Sequence, residues 1–374
     1  MNTITKYIIL FFILIVVGIL YRKLEDKRMI DENKDNYEAI QNYLLDGVTL
    51  ANSVKPILWI HVPYEYNSRK WLSFGSRSSF DLNQPYLNLT VRSIIKKCEN
   101  SFTICIIDDN SFARLIPRWS IDMTRISSPI SDNMRKLGMA KLIYIYGGIN
   151  CPISFLCMKD LIGLYDKGTK GDKMFLCETT DRNITSTTFN FYPDISFFGA
   201  PKENHILKEF IDFMQRIIST DFTDQSKFVG DFDRWCEARI REHKMNMISG
   251  LYIGIKTVED EPILLENLMS QNYLKLYPKT YGILIPAREI LKRVSFEWFA
   301  RLSEKQVLES KTIIGSYILL ETAPGNQNGI LEPLKTKPDW VSFWKVPSNA
   351  PVWGLKPNFL GDNVLKEKHP SSAY

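Results

Sequence analysis

Pro56-Ile57-Leu58-Trp59-Ile60-His61-Val62, then YLNLTVRSIIKKC over residues 86–98, then Phe102-Thr103-Ile104-Cys105-Ile106-Ile107: these three runs decide the fold. The first and third are short, unbroken and apolar, as expected of strands covered on both faces. The second places Leu87, Val91, Ile94 and Ile95 on one helical face. Strand, helix and strand within about fifty residues open a mainly parallel sheet. Asp108-Asp109-Asn110 ends the third run.

Working outward, the spacing predicts a helix over 131–146. Ser131 or Asp132 can cap it, Met134, Gly138, Leu142 and Ile145 line one face, and Gly147-Gly148 stops it. Strands are expected at 154–157, 174–177 and 195–197, with a short helix near 159–165. The clearest amphipathic helix is 204–218, with Ile206, Phe210, Phe213, Met214 and Ile217 together. Residues 230–243 read as helical, and 262–321 as helices around a strand at 281–285. From about 325, Pro333, Pro338, Pro347, Pro351 and Pro357 exclude long helices. Trp340, Phe343, Trp344, Trp353 and Phe359 need burial, so an extended arm packed across the domain is expected.

At the other end, residues 7–21 carry no charge. About 15 residues at ~1.5 Å each cover about 22 Å, short of a bilayer core of about 30 Å. Ile4, Thr5 and snorkelling of Lys6 and Arg22 extend the span. Tyr21-Arg22-Lys23-Leu24 follows where a signal peptide would have a small-x-small cleavage site. The reading is therefore a single-pass membrane anchor (1–28), a stem (29–54), one domain (55–324) and the arm (325–374). Lys6 before the anchor against Arg22, Lys23, Lys27 and Arg28 after it puts the domain on the cytoplasmic side. The glycosylation acceptors Asn88-Leu89-Thr90 and Asn183-Ile184-Thr185 point to the lumen.

The net charge of +5 is spread along the chain, and no basic run alternates with aromatic residues, which argues against a nucleic-acid partner. The six cysteines, Cys98, Cys105, Cys151, Cys157, Cys177 and Cys236, form no C-x-x-C, which argues against zinc. They read as buried thiols, and their even number leaves disulfides open in a lumenal domain.

Ligands of open α/β sheets bind beyond the carboxyl ends of the strands. Three places qualify as substrate-binding candidates: His61 after the first strand, Asp108 and Asp109 after the second, and the loop after Gly147 and Gly148. Each has a structural alternative: a core histidine, a helix cap and a helix stop.

The 56–61 run resembles the opening strand of the DXD-containing sugar transferases, the family of yeast-type mannosyltransferases and capsule-synthesis enzymes. Leu142-Ile143-Tyr144-Ile145-Tyr146-Gly147-Gly148-Ile149 resembles its helix running into Tyr-Gly-Gly, and Ser196-Phe197-Phe198-Gly199-Ala200-Pro201 its later strand before a helix. The resemblance covers roughly residues 55–220. It implies a GT-A-like, Rossmann-type mixed sheet flanked by helices that binds a nucleotide-sugar, with Mn²⁺ or Mg²⁺ held by two aspartates against the diphosphate. This chain departs from that pattern. Pro152 and Ser154 stand where the family has the aspartates, and Lys136 and Met139 where its helix carries Asp and Arg; Asp132 and Arg135 lie one turn earlier. The departures as a set resemble proteins of large DNA viruses. No metal cofactor is therefore expected at 150–154, and Lys136 is the candidate to offset diphosphate charge. Asp231-Phe232-Asp233 reads as a helix start, and Glu178 and Asp181 as carboxylates for an acceptor hydroxyl. Two functions follow: a membrane-anchored glycosyltransferase acting on a glycan or protein acceptor, or a catalytically inactive relative that binds or scaffolds at a membrane.

Overall fold

A computed structural model of the chain describes residues 53–63, 84–126, 130–180, 189–220 and 230–322. The expected anchor, nearly all of the stem, the C-terminal arm, Asp181 and the Asn183 acceptor lie outside the described residues. Among those described, no helix is long and apolar enough to cross a membrane.

The three deciding runs form β1 (Ile57–His61), α1 (Tyr86–Cys98) and β2 (Thr103–Ile107). Next come α2 (Ser111–Leu115), α3 (Ile130–Tyr146), β3 (Gly148–Asn150) and β4 (Phe155–Cys157). They are followed by α4 (Ile162–Gly168), β5 (Phe175–Thr180), β6 (Phe191–Ala200), α5 (His205–Ser219), α6 (Asp231–Arg241) and β7 (Asn246–Ile248). The last part is α7 (Leu265–Met269), β8 (Gly282–Leu284), α8 (Ala287–Lys292), α9 (Glu297–Ala300), α10 (Glu304–Glu309) and α11 (Ile313–Thr322).

Among the described residues, six strands make the central sheet in the order β2-β1-β3-β6-β5-β7. β1 is parallel to both β2 and β3, and β5 is parallel to β7; β6 alone runs the other way, antiparallel to β3 and β5. The fold is thus mixed α/β, with a mostly parallel sheet flanked by helices. Ile57, Leu58, Trp59 and Ile60 are each at most 2% exposed, which is why their run is unbroken rather than alternating. Ile57 and Trp59 belong to a core with α2, α3, α5 and α6. A second core joins α1 to β8 and the short helices α7 to α11. The expected 154–157 strand leaves the main sheet and pairs antiparallel with β8.

Three details differ from the sequence reading. The helix expected from 131 begins at Ile130, so Ser131 and Asp132 sit inside its first turn, where an acid suits the helix dipole, rather than capping it. Its buried side is broader than a stripe: Leu137, Met139, Ala140 and Ile143 are buried with Gly138 and Leu142, while Met134 and Ile145 are half-buried. Gly147-Gly148 both stops the helix and starts β3. Gly147 N donates to Ile143 O at 2.8 Å, and φ is +76° at Gly147 and +106° at Gly148. A Cβ on Gly148 would lie 2.1 Å from Ile57 O, so only glycine lets β3 lie this close to β1. Trp59 Nε1 donates to Gly147 O at 3.0 Å and ties the helix end to the same strand.

Candidate functional site at the strand ends

The chain order reverses at β1: its first crossover leads to β2 on one side, and the next returns to β3 on the other. A crevice at the carboxyl ends of the strands belongs at such a reversal. His61 is the last residue of β1 and pairs in register with Ile107, the last of β2, so His61 and Asp109 meet at one end. His61 Nε2 lies 2.9 Å from Asp109 Oδ1, and the imidazole stacks on Phe112 with centroids 5.3 Å apart. Nδ1 of His61 has no hydrogen-bond partner among the described residues.

Arg135, one turn into α3, grips Asp109 in a fork: Nη2 donates to Oδ2 at 2.8 Å and Nε to Oδ1 at 3.0 Å. Its Nη1 reaches Asp132 Oδ1 at 3.5 Å. Arg288 of α8 donates to both Asp132 oxygens, at 2.8 and 3.1 Å. A chain of alternating charge thus runs Asp109, Arg135, Asp132, Arg288, with the His61 imidazole bound at its Asp109 end. Burial would raise the Asp109 carboxyl, but hydrogen bonds from His61 and Arg135, and their charges, hold it below the usual carboxylate value.

The other sequence candidates part company here. Asp108 is a cap: its Oδ1 accepts from Ser111 N at 2.8 Å and Ser111 Oγ at 2.6 Å, the alternative already evident in the sequence. Lys136 is half-buried on a different side of α3, where its charge acts on the buried Cys236 thiol in company with Asp233 and Asp194. Among the described residues no hydrogen bond or ion pair joins Lys136 to His61, Asp109 or Arg135. Gly147 and Gly148 do not share this end of the sheet. β3 is parallel to β1 with Leu58 opposite Ile149, so Gly148 lies beside Ile57, at the amino end of the strands. Four residue steps lead from Ile57 to His61, about 13 Å along a strand. The expectation of one site shared by His61, Asp108 and the glycine pair is corrected accordingly.

Residues 150–154 follow the carboxyl end of β3. Asn150 Nδ2 donates to Ser196 O at 2.9 Å, Pro152 has no side-chain donor atom, and Ser154 offers only a neutral hydroxyl. This set does not fit a hard divalent cation held against a diphosphate. Among the described residues no group of three or more His, Cys, Asp and Glu is placed to hold a metal ion. Glu178 is occupied elsewhere: Oε2 accepts from Gly250 N and pairs with Lys256 Nζ, each at 2.9 Å. Asp231 and Asp233 lie in the first turn of α6, with Asp231 paired to Arg234, a helix-start role.

Two contributors are not among the substrate-binding candidates. Arg135 stands with Asp132 one turn before the positions of the family's helix pair, and their three-residue spacing places both on one helix face. Arg288 has no such signal: it belongs to a distant segment without a motif. Asn88, the first glycosylation acceptor, lies inside α1. Its amide donates to Glu304 Oε1 at 3.1 Å, a contact a glycan there would displace, and Thr90 of the same acceptor is fully buried.

No family model and no curated protein matches the chain. Solved structures similar to it include the glycosyltransferase GlyE of Streptococcus pneumoniae TIGR4 in its apo form, with TM-score 0.32 and 9% identity over 76% of this chain and 66% of that one. A second structure of the same protein gives TM-score 0.31 and 12% identity over 72% of this chain and 63% of that one. The chain thus spans just under two thirds of that protein's length. At such scores the likeness identifies neither a fold nor an activity.

Proposed function

We propose that this chain is a membrane-anchored, GT-A-like glycosyltransferase. In this reading a nucleotide-sugar sits at the carboxyl ends of β1 to β3, and its sugar passes to a glycan or protein hydroxyl without a divalent metal. The observation that carries the reading is the His61–Asp109–Arg135 cluster beside the strand reversal. Asp109 orients the imidazole through Nε2, and Nδ1 is left to take a proton. The acceptor oxygen then bonds to the anomeric carbon, its proton goes to Nδ1, and the bond from that carbon to the diphosphate oxygen breaks. The nucleoside diphosphate leaves with the electron pair.

The test is a thermal-shift panel of nucleotide-sugars on the full chain in detergent, run in excess chelator and again with Mn²⁺. One donor should raise the melting temperature equally in both. His61→Gln should keep that shift and lose turnover. Binding that appears only with Mn²⁺ would overturn the metal-free reading. The inactive-relative reading also has an observation in its favour: the cluster is already satisfied within itself, since Asp109 accepts from both His61 and Arg135. A donor that binds without ever being turned over, or no binding at all, selects that reading.

A further inference from the structure

The six cysteines are all buried and free. Two of them approach each other: Cys98, the last residue of α1, and Cys157, the last of β4, have their sulfurs 3.9 Å apart, and both are fully buried. The contact between these elements is built from both sides. Ser93 Oγ of α1 accepts from Cys157 N at 2.9 Å, and Thr90 Oγ1 donates to Ile153 O at 2.5 Å. Residues 153–157 are therefore already held against one helix at two points, and Cys98 lies beyond them on the same helix.

We propose that Cys98 and Cys157 are an oxidation site, forming an intramolecular disulfide when the chain folds in the presence of a low-molecular-weight disulfide. The thiolate of one cysteine attacks the oxidant, giving a mixed disulfide and releasing one oxidant thiol. The second cysteine then displaces the other oxidant thiol as the protein S–S bond closes. Two electrons pass from the protein to the oxidant, and the two protons leave with them. Timing follows from burial. Both sulfurs are fully buried in the folded chain, out of reach of the oxidant, and the sulfur–sulfur hydrogen bond with Cys98, and after it desolvation, push the Cys157 thiol well above its ordinary value. The exchange belongs to folding, before α1 covers β4, and the folded reduced protein resists the same reagent. The bond would tie the end of β4 to the C-terminal end of α1, beside the entry to β2 and away from the strand-end crevice, independently of what that crevice binds.

Cell-free synthesis of the full chain in detergent separates the cases. With glutathione disulfide present during synthesis, the product should be about 2 Da lighter, and a Cys98–Cys157 cross-linked peptide should survive alkylation under denaturing conditions. Synthesis in dithiothreitol, followed by removal of the reductant and addition of the same oxidant, should leave six alkylatable cysteines. Cys151 is also near, since its thiol is pushed up by burial and by Cys98 and Cys177. Cys151→Ala should therefore keep the cross-link. The oxidised product should melt several degrees higher, a gain absent in Cys157→Ser. Six free cysteines after synthesis in the oxidant, or a cross-link between another pair, overturns the proposal. Equal oxidation of the folded reduced protein overturns the timing.

Discussion

Asp109 accepts from two side chains that carry or can carry positive charge, and it is only 15% exposed on its side chain. Replacing it by Asn removes the charge but keeps the shape, and leaves the Arg135 guanidinium facing a neutral amide. Breaking such a partly buried pair costs about 2–4 kcal/mol, the lower end being favoured where some solvent remains. The pH dependence has a definite sign. The folded carboxyl lies below its unfolded value of about 4, so its contribution is complete above that pH and is lost as pH falls through the lower folded value. Urea midpoints for the wild type should therefore fall on acidification below about pH 4, and Asp109→Asn should lack that component of the acid limb. An unchanged acid limb in the variant would sink the assignment. His61 and Asp109 were legible in the sequence because each ends an apolar run whose strand character is plain. Asp108 was legible too, but as a choice between ligand and cap that only its distance to Ser111 settles. Arg135 answers to a partner 26 residues away and Arg288 to one 156 residues away, and no local pattern encodes such pairings.

Elements written as periodic patterns emerged near their expected bounds: α1, α5 and the strands β1 and β2. α5 also has its cap, Asn204, whose side chain accepts from Leu207 N at 3.0 Å. β3 was missed because it is three residues long and its first is a glycine, read as punctuation after a helix. β6 was expected only at 195–197, and its direction was not legible, because strand polarity depends on a connection rather than on composition. The glycine pair shows how one element junction is encoded. Gly148→Ala would place a methyl 2.1 Å from Ile57 O on a buried strand, at a φ of +106°. Backbone cannot yield as a flexible side chain can, so a loss of about 3 kcal/mol or more is expected. Gly171→Ala is the control: its φ is +76°, but its Cβ would meet nothing nearer than Lys173 Cε at 3.9 Å. That variant should lose only about 1 kcal/mol, the cost of the left-handed backbone itself. Denaturant midpoints of the two variants check this, and equal losses would mean that strand proximity is not what requires Gly148.

The two cores of the described residues are joined by a polar contact at the surface of α3, where Arg288 of α8 reaches Asp132, while Arg92 of α1 pairs with Glu304 of α10 at 3.1 Å within the second core. Sequence alone could not divide residues 55–324 further, and the shared contacts explain why: the helical second half completes the cover of α1 instead of standing apart. The proposed membrane anchor rests on composition at the N-terminus. The uncharged run at 7–21 is bounded by Lys6 and Arg22, both able to reach an interface while their stems stay apolar. As the proposed anchor, a span of about 22 Å is short, but thinning of the bilayer and the two snorkelling cations would meet the mismatch at modest cost. In the proposed topology, Arg22, Lys23, Lys27 and Arg28 in residues 22–28 would put the domain on the cytoplasmic side. The lumenal counter-argument loses one of its two acceptors, because Asn88 and Thr90 are built into α1 and its contacts. The full chain should therefore remain in the membrane pellet after high-salt and alkaline washes, and its gel mobility should not change on treatment with a glycan-removing enzyme. Deleting residues 1–28 should release a folded, soluble protein with the same cooperative melting, since the uncharged run gives way to a polar stretch before the first strand begins. A truncated protein that still pellets with membranes without aggregating would show a second membrane contact and end the single-anchor model. A mobility shift abolished by Asn183→Gln would place the domain in the lumen and reverse the orientation.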